Sequence, residues 1–85
     1  MNMKKQNLPK WFNGELYEDG AEVTNPFSKE KYNLNNVELS MYDMIIGAQM
    51  VFDMGYRDDK ILKDWRKGLD WFRTHNAKAY MVLLD

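Results

Sequence analysis

The sequence predicts a small α+β fold, mostly α: an N-terminal β-hairpin or extended arm packed on a helical hairpin, with a short C-terminal helix. Three observations predict it. Residues 34–55 carry a helix-length apolar period that starts at a capping pattern and stops at a glycine. Residues 58–75 carry a second period, cleaner and one-sided. Residues 11–33, upstream of both, are punctuated by turn signals and show no helical spacing. At 85 residues the chain makes one domain. A chain this short buries a modest share of its surface and usually needs a staple. The sequence has no cysteine, which removes disulfides, thiolate nucleophiles and the usual structural zinc sites. One histidine, His75, is too few for a His-rich metal site. An aromatic core or self-association remains, and aromatic residues make up 14% of the chain, alongside seven Met.

Residues 1–10, MNMKKQNLPK, read as a loose, locally basic arm without the apolar stretch of a secretory signal. Residues 11–33 read as hairpin or irregular chain. Asn13-Gly14 and Asp19-Gly20 are both two-residue hairpin signals, and they lie too close together for both to form hairpins. Asp19-Gly20 is preferred, joining Glu15–Glu18 to Ala21–Thr24 with Leu16 and Val23 apolar. Asn25-Pro26-Phe27-Ser28 is a turn, because proline fixes φ and drives Asn25 out of the helical region. Asn25-Pro26-Phe27 also matches a short peptide motif read by eukaryotic endocytic domains, but three residues recur by chance. Residues 29–33 are an irregular approach to the first helix.

Helix 1 is expected over residues 35–54. Asn35 is its N-cap and Glu38 its N3 residue, a variant of the capping box; Leu34 and Leu39 form the hydrophobic staple. Gly55 is its C′ residue. At about 100° per residue, Val37, Met41, Met44, Ile45, Ala48, Val51 and Phe52 fall on one face. Leu39, Tyr42, Ile46, Met50 and Met54 fall on another. A stripe of Asn36, Ser40, Asp43 and Gly47 divides them, and Glu38, Gln49 and Asp53 mark the other gap. A helix apolar on two sides needs two packing partners. Helix 2, residues 58–75, starts at the N-cap Asp58 and gathers Ile61, Leu62, Trp65, Leu69 and Phe72 on one stripe. Gly68 borders that stripe. Residues 77–84 form a short third helix, although Tyr80–Leu84 would also suit a strand.

The net charge of −1, from 12 basic and 13 acidic side chains, provides no global field for nucleic acid. No stretch approaches the ~18 apolar residues of a membrane span, so the chain reads as soluble and cytoplasmic. Catalytic constellations are absent: there is no glycine-rich phosphate loop and no G-x-S-x-G. His75 suits a helix C-terminus, which favours a cation. Asp53, Asp58 and Asp59 lack the register of a calcium loop, and capping accounts for them. Asp43 has no second carboxylate on its stripe. No enzyme activity, cofactor or metal is therefore expected. The outer side of helix 2 carries Lys60, Lys63, Arg66, Lys67 and Arg73, diluted by Asp59, Asp64 and Asp70.

The segments NPFS, NVELSMYDMIIGAQM, GLDWFR and AYMVLLD, within residues 13–85, resemble small uncharacterised proteins encoded by tailed phages of marine cyanobacteria. The resemblance implies a phage origin and a host-cytoplasmic or virion setting, and it brings no functional residues. The expected function is protein–protein contact without catalysis, as a host-directed modulator or virion component, with the chain also pairing with itself as a dimer or higher oligomer. Tyr42, Ile46, Met50, Met54 and an edge-exposed Trp71 are the candidate contact residues. The competing monomeric arrangement has the N-terminal hairpin alone covering the second face of helix 1. Two other functions stay open. One is a nucleic-acid accessory using Lys60, Lys63, Arg66, Lys67 and Arg73. The other is a small-ligand or nucleotide-sequestering protein with a Trp- and Tyr-lined pocket between protomers.

Overall fold

The computed structural model describes residues 7–12 and 14–84. Its elements run β1 (Ala21–Thr24), β2 (Lys31–Leu34), α1 (Asn36–Asp53), α2 (Asp59–His75) and α3 (Ala77–Leu83). The fold is the α+β arrangement the sequence predicts: a two-stranded antiparallel hairpin followed by three helices. The segment Tyr80–Leu84, ambiguous in sequence, is helical through Leu83, with Leu84 as the cap.

The hairpin differs from the expected one. Ala21–Thr24 is a strand, but its partner is Lys31–Leu34 and not Glu15–Glu18; the register pairs Ala21 with Leu34 and Val23 with Tyr32. Two local causes are visible. Asn25 closes the turn: its Oδ1 accepts from the amides of Phe27 and Ser28, and its own amide donates to the Glu30 carbonyl. Lys29 takes φ 67° to complete the reversal. The second cause is burial. Tyr32 and Leu34 alternate inward, and Leu34 is buried in the core, whereas the rejected arm would offer only Leu16, which is exposed. Gly20 serves a different purpose from a hairpin turn. Its backbone lies so close to β2 that a Cβ would sit 2.0 Å from the Leu34 carbonyl oxygen.

The N-terminal segment is also more closely held than a loose arm. Leu8, Trp11 and Phe12 pack against the core, and the Phe12 amide donates to the Pro9 carbonyl. Residues 1–6 of that expected arm, and Asn13 of the Asn13-Gly14 signal, lie outside the described residues.

Helix α1 carries both halves of its capping box: the Glu38 amide donates to Asn35 Oδ1 (2.8 Å), and the Asn35 amide donates to Glu38 Oε1 (3.0 Å). Its far end is a Schellman motif, with Gly55 at φ 94° and the Tyr56 and Gly55 amides donating to Val51 and Phe52 carbonyls. Helix α2 begins where Asp58 Oδ1 accepts from the Lys60 and Ile61 amides. Asn76 separates α2 from α3 and caps both. Its amide donates to the Phe72 carbonyl, and its Oδ1 accepts from the Ala79 amide. Its Nδ2 reaches across to Glu38 Oε2 at 2.9 Å.

Met41 and Ile45 of α1, Phe72 of α2, Ala79 and Leu83 of α3 and Leu34 of β2 form the buried core. Trp71 belongs to it as well, at 9% exposed, which corrects the expectation of an exposed edge. The cause is the α1–α2 contact at Gly68. Met44, Ile45 and Met41 press against the space where a Cβ would stand, so α2 turns its Gly68 side inward. Trp71, one turn further along, follows it.

Because the Glu38 carboxylate is buried and bonds both Asn35 and Asn76, Glu38→Ala removes a cap worth ~1 kcal/mol and strands the Asn76 amide at a cost of ~1–3 kcal/mol. Urea melts are expected to show a loss of about 2–4 kcal/mol in total; a loss no larger than that of an ordinary cap would refute the bridging role. Gly20→Ala, forced against a backbone oxygen, is expected to cost ~1–3 kcal/mol by the same measurement.

Candidate functional site

Helix α1 has three working sides. The first buries Met41, Ile45 and Ala48 against α2. The second is the polar stripe, and it holds a strap. The Tyr17 amide donates to Ser40 Oγ (2.9 Å), the Tyr17 hydroxyl donates to Asp43 Oδ2 (2.9 Å), and Asn36 Nδ2 donates to the Tyr17 carbonyl (3.2 Å). Ser40 is buried and its own hydroxyl donates a hydrogen bond to the Asn36 carbonyl (2.7 Å). The stripe therefore seats residue 17. Asp43 serves here as the acceptor for the Tyr17 phenol. The hydrogen bond to Asp43, then partial desolvation, then the charges of Asp43 and Glu15 hold the Tyr17 phenol above its ordinary 10.0.

The third side is the second apolar face. Tyr42 and Ile46 are half-buried, the Tyr42 ring lying 6.4 Å from that of Phe72. Burial also pushes the Tyr42 phenol up. Met50 and Met54 remain 59% and 69% exposed. A groove of about 480 Å³ opens along this face. Its floor is Tyr42, Ile46 and Met50 of α1; Leu83 and Leu84 form one wall, and the hairpin turn Thr24–Phe27 forms the other, with Gln49 and Asp53 at the edge. The hairpin turn thus borders the face without covering it. The turn is pinned there, since Asn25 Nδ2 donates to the Val82 carbonyl at 2.9 Å. Phe27, at the groove's rim, is 94% exposed.

Four of the five expected contact residues therefore share one face: Tyr42, Ile46, Met50 and Met54. Trp71 is apart from them and buried. Phe27, Leu83 and Leu84 were not anticipated. The Asn25-Pro26 turn signal foretold a rigid tip, but nothing in the sequence placed that tip beside α1.

The basic side of α2 is partly neutralised. Lys60 pairs with Asp64 at 3.1 Å, and Arg73 pairs with Asp70. Lys67 lies 5.7 Å from the centroid of the Trp11 ring. Lys63 and Arg66 project from an exposed surface. Beside them is a shallow cleft of about 360 Å³ between Trp11 and Trp71, edged by Lys67, Asp70, Thr74 and His75. His75 stacks on Trp71 with ring centroids 4.2 Å apart, and its Nδ1 lies 2.8 Å from the Trp71 carbonyl oxygen. A third cleft, about 310 Å³, lies between α1 and α2 along Gly47, Ala48, Val51 and Ile61. Among the described residues, no cluster of three His, Asp or Glu is placed to hold a metal ion, and no helix is long and apolar enough to cross a membrane. No family model matches the chain, and neither does any curated protein or solved structure.

A phenol held protonated by the fold stabilises it fully below pH 10, and that contribution fades as pH rises through the raised folded value. Tyr17→Phe is expected to make the alkaline fall in urea stability shallower, leaving the part due to Tyr42. An unchanged alkaline limb would remove Tyr17 from it. Ser40→Ala takes the acceptor from the Tyr17 amide, with an expected loss of ~1 kcal/mol and faster amide exchange at Tyr17.

Proposed function

We propose that this chain works without catalysis, as a contact protein whose working surface is the second apolar face of α1. One observation carries the proposal: Met50 and the cap residue Met54 are 59% and 69% exposed, while the opposite side of α1 buries Met41, Ile45 and Ala48. Leaving large apolar side chains clustered in water is characteristic of surfaces that meet another molecule, and methionine adapts to varied partner shapes. The groove adds depth at the centre of the patch, where contact energy concentrates. Its polar members from α1, Gln49 and Asp53, make no nucleophile–base pair, in keeping with a binding role. The partner is a second copy of the chain or a host or phage protein. The resemblance to cyanophage proteins supports a host-cytoplasmic or virion setting.

Met50→Asp places a charge at the middle of the face while leaving the core untouched. Light scattering over a range of concentrations, together with capture from host lysate, is expected to show wild-type association reduced at least tenfold, with the melting temperature nearly unchanged. Association and capture both indifferent to Met50→Asp would refute the contact role.

A further inference from the structure

Resting on the contact role of this face, we infer that its occupant is a second copy of the same chain, docked with two-fold symmetry so that each Phe27 enters the other's α1–α3 groove. The patch contains both a projection and a recess. Phe27 is 94% exposed, yet it is not carried on a loose loop. Asn25 Oδ1 holds its amide, Asn25 Nδ2 ties the turn to the Val82 carbonyl, and Pro26 fixes the intervening φ. A large aromatic side chain held out in water on a fixed backbone gains nothing from its own fold. Prior ordering of that backbone lowers the entropy cost of docking it. The recess beside it is lined by Tyr42, Ile46, Met50, Leu83 and Leu84 and has about 480 Å³ of space, enough to admit an aromatic ring. Phe27 borders this recess without filling it. A projection and a recess in the same patch satisfy each other in one closed pair, because two-fold symmetry makes every contact occur twice.

Charge agrees with that pairing. Lys29 extends from the turn two residues beyond Phe27, and Asp53 edges the groove. Neither makes an ion pair among the described residues. The last turn of α1, where Asp53 sits, contains no basic residue, so the helix's negative end adds to the carboxylate. Carrying Phe27 into the partner's groove brings Lys29 toward the partner's Asp53, and the same exchange occurs on the other side of the axis. An unlike partner would need its own aromatic projection and its own cation to match this surface; a second copy already has both.

The test is sedimentation or light scattering of the full chain at low ionic strength. Phe27→Ala removes no folded contact, so its melting temperature should match wild type while its dimer dissociation constant rises about 30-fold or more, the effect of a central aromatic anchor. Lys29→Asp and Asp53→Lys should each weaken the dimer by about 2- to 5-fold, and the double variant carrying both should recover. A wild type that stays monomeric at all concentrations, a Phe27→Ala dimer of unchanged strength, or a double variant no better than the singles would overturn the exchange. Failure of the exchange and failure of the contact role are distinguishable. If Met50→Asp abolishes association or capture while Phe27→Ala leaves it intact, the contact face stands and the Phe27 exchange falls.

Discussion

The Glu38 carboxylate is the constraint that the rest of the structure depends on. It is 5% exposed, and a buried carboxylate is tolerated only when its oxygens are hydrogen-bonded. One oxygen accepts from the Asn35 amide at the start of α1. The other accepts from Asn76, which ends α2 and begins α3. A single side chain thus ties three helix termini to one point. The core residues Leu34, Phe72 and Ala79 belong to the elements that meet there. With α3 anchored at its N-cap and packed on α2 and β2, Leu83 and Leu84 at its far end share a groove with Tyr42 and Ile46.

That anchoring explains why α1 has one side buried, one side strapped and one side open. Met41, Ile45 and Ala48 are covered by α2. The polar stripe is bridged at Asn36, Ser40 and Asp43 by the strap around Tyr17, which arrives through hydrogen bonds and brings little apolar cover, since Leu16 stays exposed. The third side receives α3 and the hairpin turn only at its edges. A seven-residue α3 and a four-residue β1 are too short to close over the C-terminal turns of α1, and the groove is what remains between them. In a chain this small, an apolar face that the fold cannot cover itself is a natural place for intermolecular contact.

Features that rest on neighbours in sequence were legible. The Asn35–Glu38 capping box, the Asp58 cap and the Gly55 stop each join residues within about one turn, so spacing alone reveals them. The two faces of α1 also follow from periodicity. The strand pairing was not legible, because the Asp19-Gly20 signal is as strong locally as the turn at Asn25. Only the burial of Leu34 and the close approach of Gly20 to its carbonyl decide between them. The polar stripe on α1 was visible as a pattern, but its occupant lies 23 residues away in sequence at Tyr17. The exposure of Trp71 was misjudged for a similar reason: the wheel projection cannot know that Gly68 is where α1 presses closest.

The sequence by itself determined the helices, their ends and the apolar surplus on α1, because capping and periodicity are local and each is written in adjacent residues. Tertiary structure decided which surfaces that surplus meets. Long-range contacts placed Tyr17 on the polar stripe, carried Trp71 into the core and set Phe27 beside an open groove. Those outcomes depend on how close two backbones can come and on how far a short helix reaches, quantities that spacing along one chain does not encode.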